Sequence, residues 1–320
     1  MYEKIIDTTR KHLYIMIIAI TCKGSVIRTP IEEFTVQNSE DFSSFNRYYA
    51  DGVRVVQQAS LEDTLLLFTE SGTCFKVNVK DIPCTTALNY DASYHDIYSI
   101  NTPFCSILPT KELFNGSRID DYFVVIVTRS CKIVKQKLSD YRTIENGCIA
   151  ISLEPNDAIA SVTLARENDI ISNCVHSGRG RMFCIDTVRP TLLKTQSKGR
   201  SCFYAIRNEK TVFIDATNNV HSGCLIVTQN GYAIKIRDGI VNERMGGCIS
   251  LIRLKDSDIV LFSSFVNDTE DILIVTHKGY VARFSICSLS EQYRGGVGKK
   301  CINLAKDDKI VACCKVLPKM

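Results

Sequence analysis

Residues 225–237 read LIVTQNGYAIKIR, and this stretch decides the fold because the chain contains six versions of it. An apolar run leads into an Asn-Gly pair, and an alternating strand follows, which is the pattern of a tight β-hairpin. The other five versions are IAITCKGSVIRTP (18–30), LLFTESGTCFKVN (66–78), VIVTRSCKIVKQK (125–137), CVHSGRGRMFCID (174–186) and LIVTHKGYVARFS (273–285). They recur about every 50 residues, which indicates a repeat architecture.

The turn of each hairpin is assigned to a glycine, except in the third copy, where a cysteine takes its place. Glycine suits this position because it adopts positive φ values without strain. The six turn residues are Gly24, Gly72, Cys131, Gly180, Gly231 and Gly279.

Two more motifs follow the hairpin in several repeats. A glycine turn feeding a short strand appears as ENGCIAISL (145–153), MGGCISLIRL (245–254) and VGKKCINL (297–304). An acidic turn entering a last apolar strand appears as EPNDAI (154–159), KDSDIV (255–260) and KDDKIV (306–311). Each repeat therefore supplies about four strands, and the sequence predicts an all-β, six-bladed, propeller-like ring.

The recurring carboxylates of the acidic turns are interpreted as turn residues rather than as metal ligands, because they follow the repeat. They are Asp256, Asp258, Asp307 and Asp308.

The composition is that of an ordinary globular protein. The 320 residues are 45% hydrophobic and 23% charged, and the net charge is +4. Closed β-architectures of this length often form one unit, so residues 1–320 are predicted to form a single domain. The mild positive charge permits a polyanionic partner without requiring one.

Several kinds of chemistry are excluded by residue spacing. The 15 cysteines form no Cys-x-x-Cys pair, and the five histidines show no zinc-like spacing. We interpret the cysteines as small buried hydrophobes in a reducing cytoplasm, with no disulfide framework and no metal site. Phosphate-binding loops, dinucleotide-binding motifs and nucleophile elbows are absent, so no intrinsic active site and no cofactor are expected.

Two stretches depart from the repeat pattern. Residues 13–20, LYIMIIAI, look like a signal-peptide core, but eight apolar residues are too few to span a bilayer. Because this stretch aligns with the starts of the other copies, we interpret it as the first strand and predict a cytoplasmic protein. Residues 85–123 are a Tyr-rich irregularity, interpreted as a surface loop.

Cations recur near each hairpin or on its second strand. In the fifth copy, Lys235 and Arg237 share one face of the strand while apolar side chains share the other. Arg283 occupies a similar place in the sixth copy, and Arg179 and Arg181 follow the fourth turn. The sequence therefore predicts a basic outer rim.

Five segments, in order, resemble the C-terminal domain of the A subunit of bacterial type IIA topoisomerases, that is, DNA gyrase or topoisomerase IV. They are TCKGSVIRTPIEEF (21–34), LLLFTESGTCFKVNVKDIP (65–83), ILPTKELF (107–114), VTQNGYAIKI (227–236) and VTHKGYVARF (275–284). The resemblance extends over residues 13–317.

The resemblance implies a six-bladed β-pinwheel whose neighbouring blades exchange a strand, with double-stranded DNA bent around a basic outer rim. It implies two further partners, which are the ATPase B subunit and the catalytic domains of the topoisomerase A subunit. The DNA-cleaving tyrosine and the metal-binding carboxylates of that family lie in other domains. The chain is therefore expected not to be an enzyme on its own.

One family motif is displaced. Gyrase carries the box Gln-Arg-Arg-Gly-Gly-Lys-Gly after the first hairpin, where this chain reads TVQNSEDFSSFNRYY (35–49), which is acidic and lacks glycine. The nearest match is QYRGGVG (292–298) in the last repeat, which keeps five of the seven positions. In a closed ring the last blade neighbours the first, so this segment is a candidate substitute for the box.

These observations predict sequence-nonspecific DNA binding concentrated near the sixth repeat, with glycines that let backbone amides approach phosphate. The candidate residues are Lys278, Arg283, Gln292, Arg294, Gly295, Gly296, Gly298, Lys299, Lys300, Lys235, Arg237, Arg179 and Arg181. A second hypothesis remains open, in which the chain is a diverged β-propeller scaffold that binds a protein and no longer wraps DNA.

Overall fold

A computed structural model describes most of the chain. The described residues are 15–37, 46–49, 52–85, 102–110, 119–195, 197–201, 209–219, 223–236, 248–289 and 291–317. They form β-strands, numbered here in chain order, and short 3-10 helices. The helices are Ile31–Glu33, Val79–Asp81, Ile119–Asp121, Leu138–Tyr141, Ile185–Thr187, Leu193–Thr195 and Ile286–Ser288. None of the helices in these ranges is long and apolar enough to cross a bilayer.

Six hairpins form the centres of six sheets, and they coincide with the six copies of the repeated phrase. They are β1 (Ile15–Thr21) with β2 (Val26–Pro30), β5 (Thr64–Thr69) with β6 (Thr73–Asn78), β8 (Tyr122–Thr128) with β9 (Lys132–Lys137), β12 (Ile170–Val175) with β13 (Arg179–Cys184), β16 (Gly223–Thr228) with β17 (Tyr232–Ile236), and β20 (Asp271–Thr276) with β21 (Tyr280–Ser285). The six-bladed prediction is confirmed, and residues 15–21 form the first strand as expected.

A longer strand flanks the first strand of each hairpin and lines the middle of the ring. These inner strands are β4 (Val53–Ser60), β7 (Phe104–Pro109), β11 (Ile159–Arg166), β15 (Thr211–Thr217), β19 (Val260–Val266) and β24 (Ile310–Val316). Each inner strand contacts the next one in order, and β24 contacts β4. The six blades therefore close into a ring.

The outer edge of a blade is completed by the following repeat. The short outer strands are β3 (Asn46–Arg47), β10 (Cys148–Ile149), β14 (Arg200–Ser201), β18 (Ile249–Ser250), β22 (Glu291–Gln292) and β23 (Lys299–Lys300). For example, β10 follows the third hairpin but pairs with β6 of the second blade, and β3 from the first repeat pairs with β21 of the sixth. This is the strand exchange that the family resemblance implies.

The turn glycines are required because the exchanged segment passes close to them. A Cβ on Gly72 would lie 2.4 Å from the carbonyl oxygen of Ile151, and one on Gly231 would lie 2.8 Å from that of Ile302. Both glycines have positive φ, at +93° and +86°, so the position excludes side chains for two reasons.

The fourth turn differs from the prediction by two residues. Gly178, with φ +82°, occupies the turn, and its Cβ would meet the carbonyl oxygen of Ile252 at 2.5 Å. Gly180 lies inside β13 opposite Cys174, where a Cβ would meet the side chain of Leu251 at 2.4 Å. The sequence Gly-Arg-Gly offered two glycines, and pairing within the hairpin selects the first as the turn.

The Tyr-rich irregularity is only partly a loop. Residues 104–109 form β7, the inner strand of the second blade, where they pair with β5. The tyrosines at positions 90, 94 and 98 lie outside the described residues.

The acidic turns cap the hairpin tips of their own blades, as the turn interpretation predicts. The carboxylates of Asp258 and Asp308 accept backbone N–H hydrogen bonds from Asn230 and Lys278, at 3.0 and 3.1 Å. Their neighbours Asp256 and Asp307 adopt positive φ, at 45° and 61°, a conformation that short polar side chains tolerate in turns.

Ring closure depends on Gly279, and replacing it tests that dependence. Gly279 has φ +84°, and a Cβ there would lie 1.8 Å from the carbonyl oxygen of Tyr49 in the first repeat. We expect Gly279→Ala to lower the free energy of unfolding by more than about 3 kcal/mol, because both the conformation and the closing contact are lost.

Gly24→Ala is the matched control. Gly24 has a similar φ of +90°, but no atom lies within 4 Å of its Cβ position, so only the conformational cost of about 1–2 kcal/mol is expected. Denaturant unfolding of both variants measures the difference. Equal losses in the two variants would contradict the role of Gly279 in closing the ring.

Candidate nucleic-acid interface

Lys235 is buried between two repeats rather than exposed on the rim. Its side chain is 7% exposed, and its ammonium group donates a hydrogen bond to Asp268 and lies 3.4 Å from Glu291. Burial disfavours the charge, but the two carboxylates outweigh it, so the pKa of Lys235 is raised above its ordinary value. The lysine is therefore charged and already neutralised by protein groups.

Arg283 is also buried, at the junction of the sixth blade with the first repeat. Its guanidinium group lies 2.7 Å from the carboxylate of Asp271 and donates a hydrogen bond of 3.1 Å to the carbonyl oxygen of Phe34. In return, the backbone N–H of Gln37 donates to the carbonyl oxygen of Arg283 at 2.7 Å. This arginine joins the two ends of the ring.

The same position of the second hairpin strand carries a cation in five of the six repeats, and we call it the inter-repeat cation position. Its members are Arg28, Lys76, Lys135, Lys235 and Arg283, with Met182 in the fourth repeat. Lys135 is 4% exposed beside Asp186 of the next repeat, and Arg28 donates to the carbonyl oxygen of Ile82 of the next repeat. The position therefore binds neighbouring repeats to each other.

The prediction that this face of the second strand points outward is consequently wrong for Lys235 and Arg283. The second hairpin strand is not the outer strand of its blade, because the exchanged segment and the 3-10 turn of the next repeat cover it. Alternation in the sequence identified a polar face correctly but could not show what covers it.

The remaining cations of the fourth and fifth repeats are only partly accessible. Arg179 and Arg181 are half-buried. Arg179 lies beside the thiol of Cys248, and the guanidinium of Arg181 lies 5.6 Å from the ring centre of Phe183. Arg237 lies outside the described residues.

The box-like segment 292–298 forms a tight turn fastened to the fifth blade. The N–H of Gly296 donates to the carbonyl oxygen of Tyr293 at 3.2 Å, and Gly295 between them has φ +77°. The N–H of Gly295 donates to Leu251 at 2.9 Å, and that of Arg253 donates to Gly296 at 2.8 Å. Tyr293 is left 89% exposed at the tip of this turn.

The glycines of this segment serve packing. The amides of Gly295 and Gly296 are already bonded to protein carbonyls, so they do not face a phosphate as the sequence suggested. A Cβ on Gly298 would lie 2.7 Å from the carbonyl oxygen of Ala233. Half-buried Gln292 lies on β22, opposite Ile236. These four residues position the turn.

Exposed cations surround the turn. Arg294, Lys299 and Lys300 are exposed, as the sequence predicted, and β23 places the last two opposite Ala233 and Tyr232. Lys278 is exposed on the hairpin tip of the sixth blade, where its ammonium group donates to the carbonyl oxygen of Lys306.

Sequence reasoning missed two exposed cations of the fifth repeat, Arg253 and Lys255. Pairing of the 251–253 segment with the turn brings Arg253 beside Gly296. The ammonium groups of Lys255 and Lys300 lie 4.6 and 5.9 Å from the ring centre of Tyr232. Because the two lysines come from different repeats, their proximity was available only from the strand exchange.

We call Arg253, Lys255, Arg294, Lys299 and Lys300 the fifth-blade basic edge. Among the described residues, none of the five has a carboxylate within ion-pair distance. In this they differ from Lys235 and Arg283, whose charges are satisfied by acids. A cluster of exposed, unneutralised cations attracts polyanions.

Comparison with known proteins agrees with the geometry. The family model described as the DNA gyrase C-terminal domain, a β-propeller, matches residues 16–39, 63–87 and 270–313. These ranges contain the hairpins of the first, second and sixth blades.

The A subunit of DNA gyrase from Staphylococcus aureus strain MRSA252 is 24% identical over 310 residues, which cover 94% of this chain and 34% of the relative. The same protein from strain NCTC 8325 / PS 47 gives the same values. The chain thus spans about a third of the length of the curated relatives it matches.

Two solved structures share the fold. The DNA gyrase A C-terminal domain superposes with a TM-score of 0.77 at 20% identity, covering 95% of this chain and 100% of that one. The C-terminal domain of DNA topoisomerase IV gives 0.67 at 15% identity, covering 95% and 93%. The matched blades, the aligned relatives and the common architecture identify the chain as a relative of the C-terminal β-propeller domain of type IIA topoisomerase A subunits.

Proposed function

We propose that this chain binds double-stranded DNA without sequence preference and bends it along its rim, as an accessory part of a type IIA topoisomerase. The observation that carries the proposal is the fifth-blade basic edge, in which exposed cations from two repeats converge without opposing carboxylates. The relation to gyrase A C-terminal domains supports it.

Lysine and arginine at such an edge neutralise backbone phosphates and release counterions. Because phosphates are the same at every base pair, contacts of this kind position DNA without reading its sequence. Each neutralised phosphate contributes about −0.9 to the slope of log affinity against log salt, so five contacts would contribute about −4.5. Binding should therefore weaken steeply as salt rises.

Bending requires contacts beyond one blade. Curving a site of 20–30 base pairs by 40–90° costs about 1–6 kcal/mol, which added phosphate contacts must offset. Lys278 on the sixth blade is exposed, and Arg47 of the first repeat lies against it, its guanidinium donating 2.9 Å to the Lys278 carbonyl oxygen. These two cations extend the basic edge towards the first blade, where the gyrase-type box is missing.

The catalytic step of DNA cleavage is assigned to other domains in this proposal. The chain would act on DNA held by the catalytic domains of the topoisomerase A subunit, with the ATPase B subunit as the further partner. In that arrangement the ring fixes the path of the duplex, and no residue of the ring performs chemistry.

One observation favours the rival function of a protein-binding scaffold. Several cations that the sequence assigned to the rim, such as Lys235 and Arg283, are consumed inside the ring. The basic surface is therefore concentrated in one sector rather than distributed as a belt. The experiments below separate the two functions.

Charge reversal tests the basic edge. We expect the triple variant Arg294→Glu, Lys299→Glu, Lys300→Glu to bind linear duplex at least about tenfold more weakly than wild type, which is about 1.4 kcal/mol. Its salt slope should be shallower by about 2.7, since three of the five contacts are lost. Fluorescence anisotropy across a salt series measures both quantities.

Lys235→Met is the matched control, because the fourth repeat carries Met182 at the same position. It removes a buried cation, so affinity should stay within about twofold of wild type. Binding that ignores salt, or that survives the triple reversal, would contradict the DNA-binding proposal and leave the scaffold.

Bending is tested separately from binding. We expect plasmid relaxed by an added nicking–closing enzyme in the presence of this chain to show a shifted linking number after deproteinisation, because bent DNA stores writhe. The triple variant should give no shift. Salt-sensitive binding with an unchanged linking number would show that the chain binds DNA without wrapping it.

The position of DNA on the ring can be read with a single fluorophore. The chain contains no tryptophan, and Tyr293 is 89% exposed at the centre of the basic edge, so Tyr293→Trp should fold normally. Its emission should change when duplex is added. Leu192→Trp, at a residue 65% exposed beside the third blade, should not respond. An equal response at both positions would contradict the assigned site.

A further inference from the structure

Two cysteines from different repeats face each other across an exchanged strand. Cys74 in β6 and Cys148 in β10 are direct antiparallel partners. Residues opposite each other in such a pair have Cα atoms about 4.5–5.5 Å apart. Disulfides span Cα distances of about 4.4–6.8 Å, so the backbone already holds this pair at bonding range.

Both side chains lie on the same face of the sheet. Cys74 is fully buried in the core between the second and third blades, together with Phe68 and Tyr141, and Cys148 packs against the same cluster while staying partly accessible. The two thiols are hydrogen bonded to each other. One member can therefore be reached from solvent, and its partner lies directly behind it.

The environment gives the two sulfur atoms different character. The hydrogen bond from Cys74 lowers the pKa of Cys148 below its ordinary value, against the effect of burial. Burial and the nearby Cys148 raise the pKa of Cys74. The accessible cysteine is thus the one that more readily forms the thiolate, which is the nucleophilic form.

We propose that Cys74 and Cys148 form an oxidation site, at which a peroxide converts the pair to a disulfide that joins the second blade to the third repeat. The site is separate from the basic edge and does not depend on DNA binding.

The reaction balances with hydrogen peroxide as the oxidant. The Cys148 thiolate attacks one peroxide oxygen, the O–O bond breaks, and the leaving hydroxide takes up a proton as water, leaving Cys148 as a sulfenic acid. The sulfur of Cys74 then attacks the Cys148 sulfur, the S–O bond breaks, and the hydroxide leaves with the Cys74 proton as a second water. Two thiols are oxidised and one peroxide is reduced.

The other described cysteines lack this combination. Cys313 and Cys314 are adjacent in sequence but both are buried, and Cys22 and Cys287 are exposed, in contrast to the expectation that they would be buried. Cys174 and Cys224 lie close enough to interact electrostatically, yet both are 0% exposed. Cys174 and Cys224 therefore serve as an internal control.

The test is peptide mapping of the folded chain after brief treatment with hydrogen peroxide. Remaining thiols are blocked in denaturant, and disulfide-linked peptides are identified by mass spectrometry. We expect a Cys74–Cys148 crosslink with loss of two of the 15 thiols, and a midpoint of thermal unfolding that rises by several degrees and returns on reduction. In Cys74→Ser, Cys148 should stop at the sulfenic acid and be trapped by dimedone, whereas Cys148→Ser should leave Cys74 reduced.

Three results would overturn the site. They are absence of the Cys74–Cys148 crosslink in the folded protein, its formation only in denaturant, and equally fast crosslinking of Cys174 to Cys224. Each is measured on the wild-type chain, so the conclusion does not depend on the folding of a variant.

Discussion

The exchanged outer segment is the constraint on which the rest of the structure depends. Each hairpin turn must accept the backbone of the next repeat at a distance that leaves no room for a Cβ, as at Gly72 and Gly231. The same contact covers the second strand of the hairpin and so decides which cations are buried. Hairpin geometry, blade order and the placement of charge all follow from it.

The inter-repeat cations show how a charge pattern is used twice. A repeated cation on one face of a strand is consistent with a rim that binds polyanions or with a junction between blades. Lys235 and Arg283 belong to the junction because carboxylates and carbonyls of the next repeat meet them. The exposed cations of the fifth-blade basic edge lie instead on the exchanged segment, whose partner is one repeat away in sequence.

The sequence was sufficient for features that depend on neighbours along the chain. The six hairpins, the acidic turns and the first strand could all be predicted, since turn chemistry and alternation act over a few residues. The turn at Gly178, the strand at 104–109 and the burial of Lys235 could not. Each of these depends on pairing with a segment far away in the chain, and Arg253 and Lys255 escaped notice for the same reason.

The contribution of β3 to the sixth blade has a consequence for how the chain folds. Residues 46–47 pair with residues 280–281, so the strand made first completes the blade made last. During synthesis, each finished blade waits for the next repeat to cover its outer edge, and the early strand stays unpaired until the end. Such non-local closure carries a high contact order, which slows folding. It also makes the ring cooperative, because an array that lacks its last repeat leaves unpaired strand edges at both ends.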